Sequence, residues 1–294
     1  MTHGEDTARP GYPSPRALLE KYGLRAKKSW GQNFLGDEEI LDHIARLAVE
    51  APGERVVELG AGLGHLTARL LARGAEVVAV ERERDMVTVL RGELAGRARV
   101  LEADAARLDY RELAEEWGGG ALVVVGNLPY HLTSPILFAL LDQADAVRRA
   151  VLLVQREVAE RLVASPGTKE WGLPSVLVQQ RAEVSLERRV RAGAFLPRPR
   201  VESAVVRIGF GLPRGQQPAD PTRFRLLVKA GFAQRRKVLA NALSAGRVAT
   251  PAALAAALAA ASIDGRRRGE TLTVEEWVEL ERALSRWQLL QPNA

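Results

Sequence analysis

The sequence predicts an α/β protein with a doubly wound, mostly parallel sheet and a small all-α C-terminal domain. Two observations support this fold class. Short apolar segments typical of buried strands alternate with amphipathic helical segments through the first part of the chain. Three helical segments then follow a stretch rich in Gly, Pro and Gln at 211–222. Strands that alternate with helices connect through right-handed crossovers, and these crossovers produce a parallel sheet.

The predicted elements follow one another in a regular order. The segment 37–50 has apolar residues three and four apart behind an Asp37 N-cap, which predicts an amphipathic helix. The predicted strands are RVVELG (55–60), EVVAVE (76–81), RVLEAD (99–104), LVVVGN (122–127), RAVLLVQ (149–155) and SAVVRIGF (203–210), the last being one of two late strands added to the sheet. The other predicted helices are 16–24, 65–74, 85–94, 134–143, 157–164, 223–244, 250–262 and 273–287.

These elements divide the chain into four regions. Residues 1–15 contain three prolines and no apolar run, so we expect a flexible N-terminal extension and no signal peptide. The sheet domain spans 16–210, a linker spans 211–222, and a helical domain spans 223–294.

Composition excludes several kinds of site. The chain has 294 residues, is 47% hydrophobic and contains no cysteine, which rules out disulfides, thiolate metal ligands and cysteine nucleophiles. Its four histidines are widely scattered, so we expect no metal site. No apolar run is long enough to cross a membrane. We therefore expect a cytoplasmic protein. We also expect the protein to be a monomer.

The positive charge is concentrated near the C-terminus. Residues 222–294 contain 12 Lys and Arg against 6 Asp and Glu, a net charge of +6 that equals the net charge of the whole chain. A basic domain beside a neutral one is typical of a protein that binds nucleic acid. The alternative is an ordinary solvated helical face.

Three glycines follow the first predicted strand. Gly60, Gly62 and Gly64 would let a ligand approach the backbone at the carboxyl end of the sheet. Their spacing differs from the Gly-x-Gly-x-x-Gly of pyrophosphate-binding loops. The neighbouring Glu58 disfavours a phosphate and favours a cation such as the sulfonium of S-adenosylmethionine. The alternative is a tight turn without a ligand.

Acidic residues end the next two predicted strands. Glu81 could accept hydrogen bonds from both hydroxyls of a ribose, a feature shared by NAD and S-adenosylmethionine sites. Asp104 could accept from the adenine amino group, or could instead cap the following turn.

The fourth strand ends in the sequence NLPY. The Asn127 side-chain oxygen and the carbonyl of Leu128 or Pro129 could accept hydrogen bonds from an adenine N6 amine and make its nitrogen more reactive. Pro129 would fix the turn, and Tyr130 would offer a face for stacking an unpaired base. The alternative is a proline turn in which Tyr130 only packs.

These motifs resemble the ribosomal RNA adenine N6-dimethyltransferase family, in particular its small-subunit branch. The matching segments are GQNFL (31–35), VVELGAGLGHLT (56–67), VVAVE (77–81), EADA (102–105), NLPYHLTSPI (127–136), LLVQREVAERLVASPGTKEWG (152–172), FLPRPRVESAVVRI (195–208) and FAQRRKVLANAL (232–243). His131 departs from the asparagine that is usual in the family. The resemblance implies a Rossmann-like class I methyltransferase sheet and a helical C-terminal domain.

The resemblance also implies an activity. The expected reaction is N6,N6-dimethylation of two adjacent adenines in the 3′-terminal hairpin of 16S rRNA, with S-adenosylmethionine as the methyl donor. The partner would be the small ribosomal subunit, with methylation coupled to late assembly.

Site residues follow from the same resemblance. Gly60 and Gly62 would bind the methionine side of the cofactor, Glu81 its ribose and Asp104 its adenine, and Asn127 would contact both cofactor and target amine. The resemblance also implies that Asn33 and Leu35 line the cofactor entrance and that Phe195 forms a second aromatic wall for the target base, although Phe195 could instead be a core residue.

Positive charge indicates the residues that would contact rRNA phosphates. They are Arg235, Arg236 and Lys237 on a helix and Arg266, Arg267 and Arg268 in a loop.

Three other functions are compatible with parts of this pattern. A nicotinamide-dependent dehydrogenase would share the ribose-binding carboxylate, but its glycine spacing and catalytic residues are missing. A non-catalytic ribosome-assembly or transcription factor could keep the fold. A large-subunit rRNA methyltransferase would share the motifs.

Overall fold

A seven-stranded, mostly parallel sheet organises the structure. The computed structural model describes residues 11–27, 32–211 and 217–290. The strands of the sheet are β2 (Arg55–Leu59), β3 (Glu76–Glu81), β4 (Arg99–Glu102), β5 (Leu122–Asn127), β6 (Val147–Gln155), β7 (Glu183–Val190) and β9 (Ser203–Gly209). A separate antiparallel pair consists of β1 (Phe34–Leu35) and β8 (Phe195–Leu196). The sheet order is β4, β3, β2, β5, β6, β9, β7. The first five strands are parallel to one another, β9 is antiparallel to β6, and β7 is antiparallel to β9.

Twelve helices accompany these strands in the part of the chain that the structure describes. They are α1 (Pro15–Lys21), α2 (Glu38–Ala48), α3 (His65–Ala72), α4 (Arg84–Leu94), α5 (Tyr110–Glu116), α6 (Thr133–Asp142), α7 (Arg156–Leu162), α8 (Leu173–Arg181), α9 (Pro221–Ala233), α10 (Leu239–Ala245), α11 (Pro251–Ala260) and α12 (Val274–Leu290). The Asp37 side chain caps α2 by accepting from the N–H of Ile40 at 3.1 Å. The predicted α/β class and the parallel sheet with two late strands are confirmed.

Alternate residues of the central strands pack on opposite faces of the sheet. Val57 of β2 lies in one core with Ile136 of α6, and Val56 lies in a second core with Ile44 of α2. Both faces are therefore covered by helices. This double burial explains why the parallel strands are almost continuously apolar in sequence.

The C-terminal helices share the first of these cores. Trp277 of α12 is fully buried and belongs to the same hydrophobic cluster as Val57. The Trp171 indole N–H donates to the Leu272 carbonyl at 3.1 Å, and the Glu281 carboxylate accepts from the N–H of Ala219 at 2.7 Å. Residues on both sides of 211–222 thus pack together. The domain boundaries themselves remain predictions.

The predicted helix 223–244 is wrong as a single element. Helix α9 ends at Ala233, and α10 begins only at Leu239. Between them the N–H of Lys237 donates to the Gln234 carbonyl at 2.8 Å, and the N–H of Leu239 donates to the Arg267 carbonyl at 2.7 Å. A local turn bond and a tertiary bond thus replace the helical hydrogen bonds here. As a result Arg235, Arg236 and Lys237 lie in a turn and not on a helix.

The N-terminal region is ordered by contacts where the structure describes it. Of the extension predicted as flexible, residues 1–10 lie outside the described residues. The Tyr12 hydroxyl donates to the Leu63 carbonyl at 2.7 Å, and the Ser14 side chain caps α1 through the N–H of Ala17. The flexibility of residues 1–15 remains a prediction.

Candidate active site

A cavity of about 300 Å³ lies where the carboxyl ends of β2, β3, β4 and β5 meet. In parallel sheets this edge is the usual place for a ligand. Leu128, Pro129 and Tyr130 line the cavity. So do all seven residues predicted to bind a cofactor, namely Asn33, Leu35, Gly60, Gly62, Glu81, Asp104 and Asn127.

The glycine loop after β2 presents bare backbone to this cavity. Gly60, Gly62 and Gly64 have φ values of +68°, +55° and +84°, a region that residues with a Cβ rarely adopt. The N–H of Gly60 donates to the Val80 carbonyl at 2.9 Å, which holds the loop against β3. A Cβ at Gly62 would come within 3.3 Å of the Phe34 ring. The positive φ therefore favours glycine at all three positions, and at Gly62 a side chain would also press against the Phe34 ring.

Three backbone N–H groups fix the Glu81 carboxylate. Gly62 donates to Oε2 at 2.9 Å, while Arg82 and Glu83 donate to Oε1 at 2.7 and 2.9 Å. A carboxylate offers about four acceptor positions, so about one remains for a ligand hydroxyl. The side chain is thereby oriented before any ligand binds.

Asp104 caps the turn after β4, as the alternative interpretation predicted. Its Oδ1 accepts from the N–H of Ala106 at 3.1 Å, and its Oδ2 lies 3.5 Å from the Arg82 guanidinium. Because Asp104 also lines the cavity, capping through one oxygen still leaves acceptor capacity for a ligand. The two interpretations of Asp104 are compatible.

Asn127 is oriented by a contact with the segment before β1. Its Nδ2 donates to the Asn33 backbone carbonyl at 2.9 Å. A carbonyl oxygen only accepts, so the amide must turn its NH₂ group toward Asn33. The Asn127 Oδ1 is consequently left as the acceptor for another group.

The turn after Asn127 selects one of the two predicted backbone acceptors. The Pro129 carbonyl accepts from the N–H of Leu132 at 2.9 Å and so closes the turn. The N–H of Leu128 donates to the Leu153 carbonyl at 3.1 Å, which ties the end of β5 to β6. The Leu128 carbonyl is therefore the better candidate to work beside Asn127 Oδ1.

The two predicted aromatic walls have different surroundings. Tyr130 is partly exposed on the cavity wall, and its hydroxyl lies 3.0 Å from the Oγ of the buried Ser203 at the start of β9. Phe195 is 6% exposed and packs in the core that contains Leu35, its partner across β1 and β8. It is absent from the cavity wall, so in this structure Phe195 is a core residue, the alternative considered for it.

Comparisons with known proteins identify the family of this chain. The model of the family described as "Ribosomal RNA adenine dimethylase" matches residues 23–284. The chain belongs to this family. Its members are methyltransferases that use S-adenosylmethionine.

Curated relatives cover nearly the whole chain. A protein of Anaeromyxobacter sp. (strain K), named ribosomal RNA small subunit methyltransferase A, is 65% identical over 280 residues, 93% of this chain and 98% of its own. A protein of Myxococcus xanthus with the same name is 49% identical over 276 residues, 92% of this chain and 95% of its own.

Solved structures show the same fold. The 23S rRNA methyltransferase ErmE has a TM-score of 0.67 and 26% identity, covering 86% of this chain and all of its own. A dimethyladenosine transferase from Plasmodium falciparum has a TM-score of 0.70 and 21% identity, covering 84% of this chain and 95% of its own. The sheet is thus of the Rossmann-like methyltransferase type.

The cavity suits the family's cofactor chemically. S-adenosylmethionine has no phosphate, and four acidic side chains line the cavity: Glu58, Glu81, Glu83 and Asp104. Acidic groups would repel a phosphate and attract a sulfonium and an ammonium. The glycine backbone provides the close approach that a Cβ would prevent.

The ionisation of Glu58 is altered by its burial. Glu58 is buried beneath the glycine loop, and burial raises the pKa of its carboxyl to about 8, with Coulombic repulsion from Glu81 adding to the effect. The Thr67 hydroxyl donates to its Oε2 at 2.5 Å and only partly opposes this shift. Near neutral pH the carboxyl of the cofactor-free protein is therefore mostly protonated.

Sequence reasoning missed several groups at this site. Glu83, buried beside the cavity, pairs with Lys27 and accepts from the Gln32 amide. His65 lines the cavity wall at the start of α3. A second carboxylate two residues after Glu81 was the available signal for Glu83, whereas His65 stood out only by its place after the glycines.

The predicted RNA-binding cations are brought together at the turn between α9 and α10. Arg235 donates to the Lys169 carbonyl at 2.8 Å and, with Arg268, lies near Glu270. Arg266 pairs with Asp264, and Arg267 pairs with Glu276. By contrast the side chains of Arg236 and Lys237 are exposed and make no hydrogen bond or ion pair to other described residues.

Within the ranges that the structure describes, no cluster of three or more His, Cys, Asp or Glu side chains is arranged to hold a metal ion. The same ranges contain no helix long and apolar enough to cross a bilayer.

The Glu58→Gln variant should stabilise the cofactor-free protein increasingly as pH rises from 5 to 8. The unfolded carboxyl ionises near pH 4.5 but the folded one only near pH 8, so over this window the unfolded state loses a proton that the folded state keeps. Glutamine removes this dependence. Thermal unfolding by circular dichroism at several pH values measures the gap in Tm between variant and wild type. The exposed Glu76→Gln serves as the control, and a gap that stays constant from pH 5 to 8 would contradict the assignment.

Proposed function

We propose that this protein dimethylates N6 of two adjacent adenines in the 3′-terminal hairpin of 16S rRNA, within the small ribosomal subunit. The observation that supports this most directly is the orientation of Asn127. Its NH₂ group is held by Asn33, so its oxygen is left as an acceptor in the cavity that also contains Glu81 and Asp104. Such an acceptor suits the amine of a base.

The protein would promote the reaction by positioning the adenine amine against the methyl group of the cofactor. Bound S-adenosylmethionine supplies an electrophilic methyl group on its sulfonium. Asn127 Oδ1 and the Leu128 carbonyl would accept the two hydrogens of the adenine N6 amine and point its lone pair at that methyl group. The Pro129 carbonyl keeps this turn closed through its bond to Leu132. No covalent intermediate with the protein is needed.

Tyr130 would hold the target base. A base that reacts at N6 must leave its helix or be unpaired, and an aromatic face can replace the stacking that it loses. The contact between the Tyr130 hydroxyl and Ser203 fixes the ring at the cavity wall. The ring is thereby oriented beside Asn127 before RNA arrives.

The choice of the small subunit is supported by relatedness. The relatives that are 65% and 49% identical are both named small-subunit enzymes, whereas the 23S rRNA enzyme ErmE is 26% identical. The acidic cavity and the glycine spacing argue against a dehydrogenase. An arrangement of Glu81, Asp104 and Asn127 that suits both cofactor and amine argues against a purely structural assembly factor, although methylation coupled to late assembly fits the same partner.

The RNA contacts that we propose are narrower than the predicted set. Arg236 and Lys237 have exposed, uncompensated charges and would bind rRNA phosphates. Arg235, Arg266, Arg267 and Arg268 already face protein carboxylates, so any RNA contact from them would compete with these pairs. We infer a monomer, and the proposed ribosomal partner implies a cytoplasmic location.

The Asn127→Ala variant should lose at least about 100-fold in methyl transfer, the size of effect seen when one preorganised hydrogen-bonding group is removed from a transition state. The assay measures transfer from labelled S-adenosylmethionine to unmethylated small-subunit particles, beside large-subunit rRNA. Asn241→Ala on the exposed face of α10 is the matched control and should keep full activity. Full activity of Asn127→Ala would refute the mechanism, and label only in large-subunit rRNA would refute the target.

Replacing both Arg236 and Lys237 with alanine should weaken binding to small-subunit particles and flatten its salt dependence. Two lost phosphate contacts lower the slope of log K against log salt by about 1.4–1.8. Filter binding at several salt concentrations measures this slope. The control is Arg46→Ala with Arg91→Ala, two exposed cations on α2 and α4. An unchanged slope in the first double variant, or an equal loss in the control, would contradict these contacts.

A further inference from the structure

The segment before the first helix, residues 11–14, contacts the glycine loop directly. The Tyr12 hydroxyl donates to the Leu63 carbonyl at 2.7 Å. The His65 Nε2–H donates to the Pro13 carbonyl at 2.8 Å, and the Tyr12 and His65 rings meet edge to face with centroids 5.1 Å apart. Two consecutive residues thus contact both sides of Gly64.

The Leu63 carbonyl, which precedes α3, receives no hydrogen bond from that helix and needs a donor from elsewhere. Gly64 has a φ of +84° and stands at the N-cap of α3, so the chain turns sharply there. In a continuous helix the N–H of Thr67 would donate to Leu63. Here that N–H donates to the Glu58 carboxylate instead. The Tyr12 hydroxyl supplies the donor that the Leu63 carbonyl would otherwise lack.

Packing at this contact is close. A Cβ on Gly64 would come within 2.6 Å of the Tyr12 hydroxyl oxygen, so Tyr12 as well as the positive φ requires glycine at this position. Tyr12 packs against the cluster that contains Phe34 and Leu63, both of which line the cofactor cavity. A displacement of the Tyr12 ring would therefore reach the cavity wall.

The state of His65 fits this arrangement. Burial lowers the pKa of its imidazole to about 4, so the ring is neutral at physiological pH. A neutral ring has one N–H, and the Pro13 carbonyl takes it at Nε2. Because His65 also lines the cavity, the N-terminal segment orients one more group of the cavity wall.

We propose that residues 11–14 position the Gly60–Gly64 loop for S-adenosylmethionine, with Tyr12 as the main positioning residue. The segment holds the end of the loop through its contacts with Leu63 and His65, while the Val80 carbonyl and Glu81 carboxylate of β3 bind the N–H groups of Gly60 and Gly62. The loop is thus fixed before the cofactor binds, which lowers the cost of ordering it on binding. The inference rests on the proposed cofactor site and not on the RNA target.

The Tyr12→Phe variant tests this role because it keeps the ring and removes only the hydroxyl. We expect its Kd for S-adenosylhomocysteine, measured by isothermal titration calorimetry, to rise roughly 2- to 10-fold, the range that one net hydrogen bond spans. KM for S-adenosylmethionine should rise by a similar factor. Both kcat at saturation and KM for small-subunit particles should stay unchanged. Hydrogen exchange should quicken at the amides of residues 62–64 and not in β5.

Tyr22→Phe is the matched control. The Tyr22 hydroxyl donates to Glu93 on α4 at 2.7 Å and so secures the same N-terminal region away from the glycine loop. Its loss should leave the Kd for S-adenosylhomocysteine unchanged. A Tyr12→Phe variant that binds within about 1.5-fold of wild type, or a Tyr22→Phe variant that loses as much, would overturn the proposal. If wild type itself did not bind S-adenosylhomocysteine, the proposed cofactor site would fail first, and the two failures are thereby distinguished.

Discussion

The parallel register of β2, β3, β4 and β5 is the constraint on which the site depends. In that register Glu58 lies between Ala79 of β3 and Val125 of β5, and Glu81 lies beside Glu102. Because all four strands run in one direction, the groups that follow their last residues emerge at one edge of the sheet. The motifs that follow these four strands are distant in the chain, and the parallel register brings them together around a single cavity.

The cavity formed in this way is acidic and is held mainly by backbone groups. The Glu81 carboxylate is fixed by three main-chain N–H groups, and the Asn127 amide by a main-chain carbonyl. Main-chain partners are set by the fold and cannot swing away as long side chains can. The buried Glu58 adds a carboxyl that a cationic ligand would help to ionise. Rigid acceptors around a positive charge are what transfer of a sulfonium methyl group to an amine requires.

Much of this arrangement could be predicted from local sequence. The strands, the glycine loop, Glu81 and Asn127 are each visible in a few consecutive residues, and the rules for parallel sheets bring them together. The family resemblance added Asn33 and Leu35, which had no local signal. Contacts between segments that are distant in the chain could not be predicted in this way. Phe195 is buried where the short strand β8 pairs with β1, a strand that lies far earlier in the chain.

Long-range contacts also explain why the break in the predicted helix 223–244 and the contact of Tyr12 were not predicted. A continuous helical pattern over 223–244 gave no sign of the break at Gln234, because the competing partners of Arg235 and Leu239 come from distant segments. Tyr12 lies in a stretch without periodicity, so its contact with Leu63 could not be inferred. Whether a surface arginine is free or paired is likewise a property of the folded neighbourhood. Charge counting could locate the basic region but not single out Arg236 and Lys237.

The measurement that tests the central claim most directly is a crystal structure of the protein with S-adenosylhomocysteine and an RNA hairpin that contains the target adenines. We expect the N6 atom of one adenine to lie about 3 Å from both Asn127 Oδ1 and the Leu128 carbonyl oxygen, with the base stacked on Tyr130. Asn127 should keep its bond to the Asn33 carbonyl. An adenine whose N6 points away from these oxygens, or an Asn127 amide turned so that its NH₂ faces the base, would contradict the account.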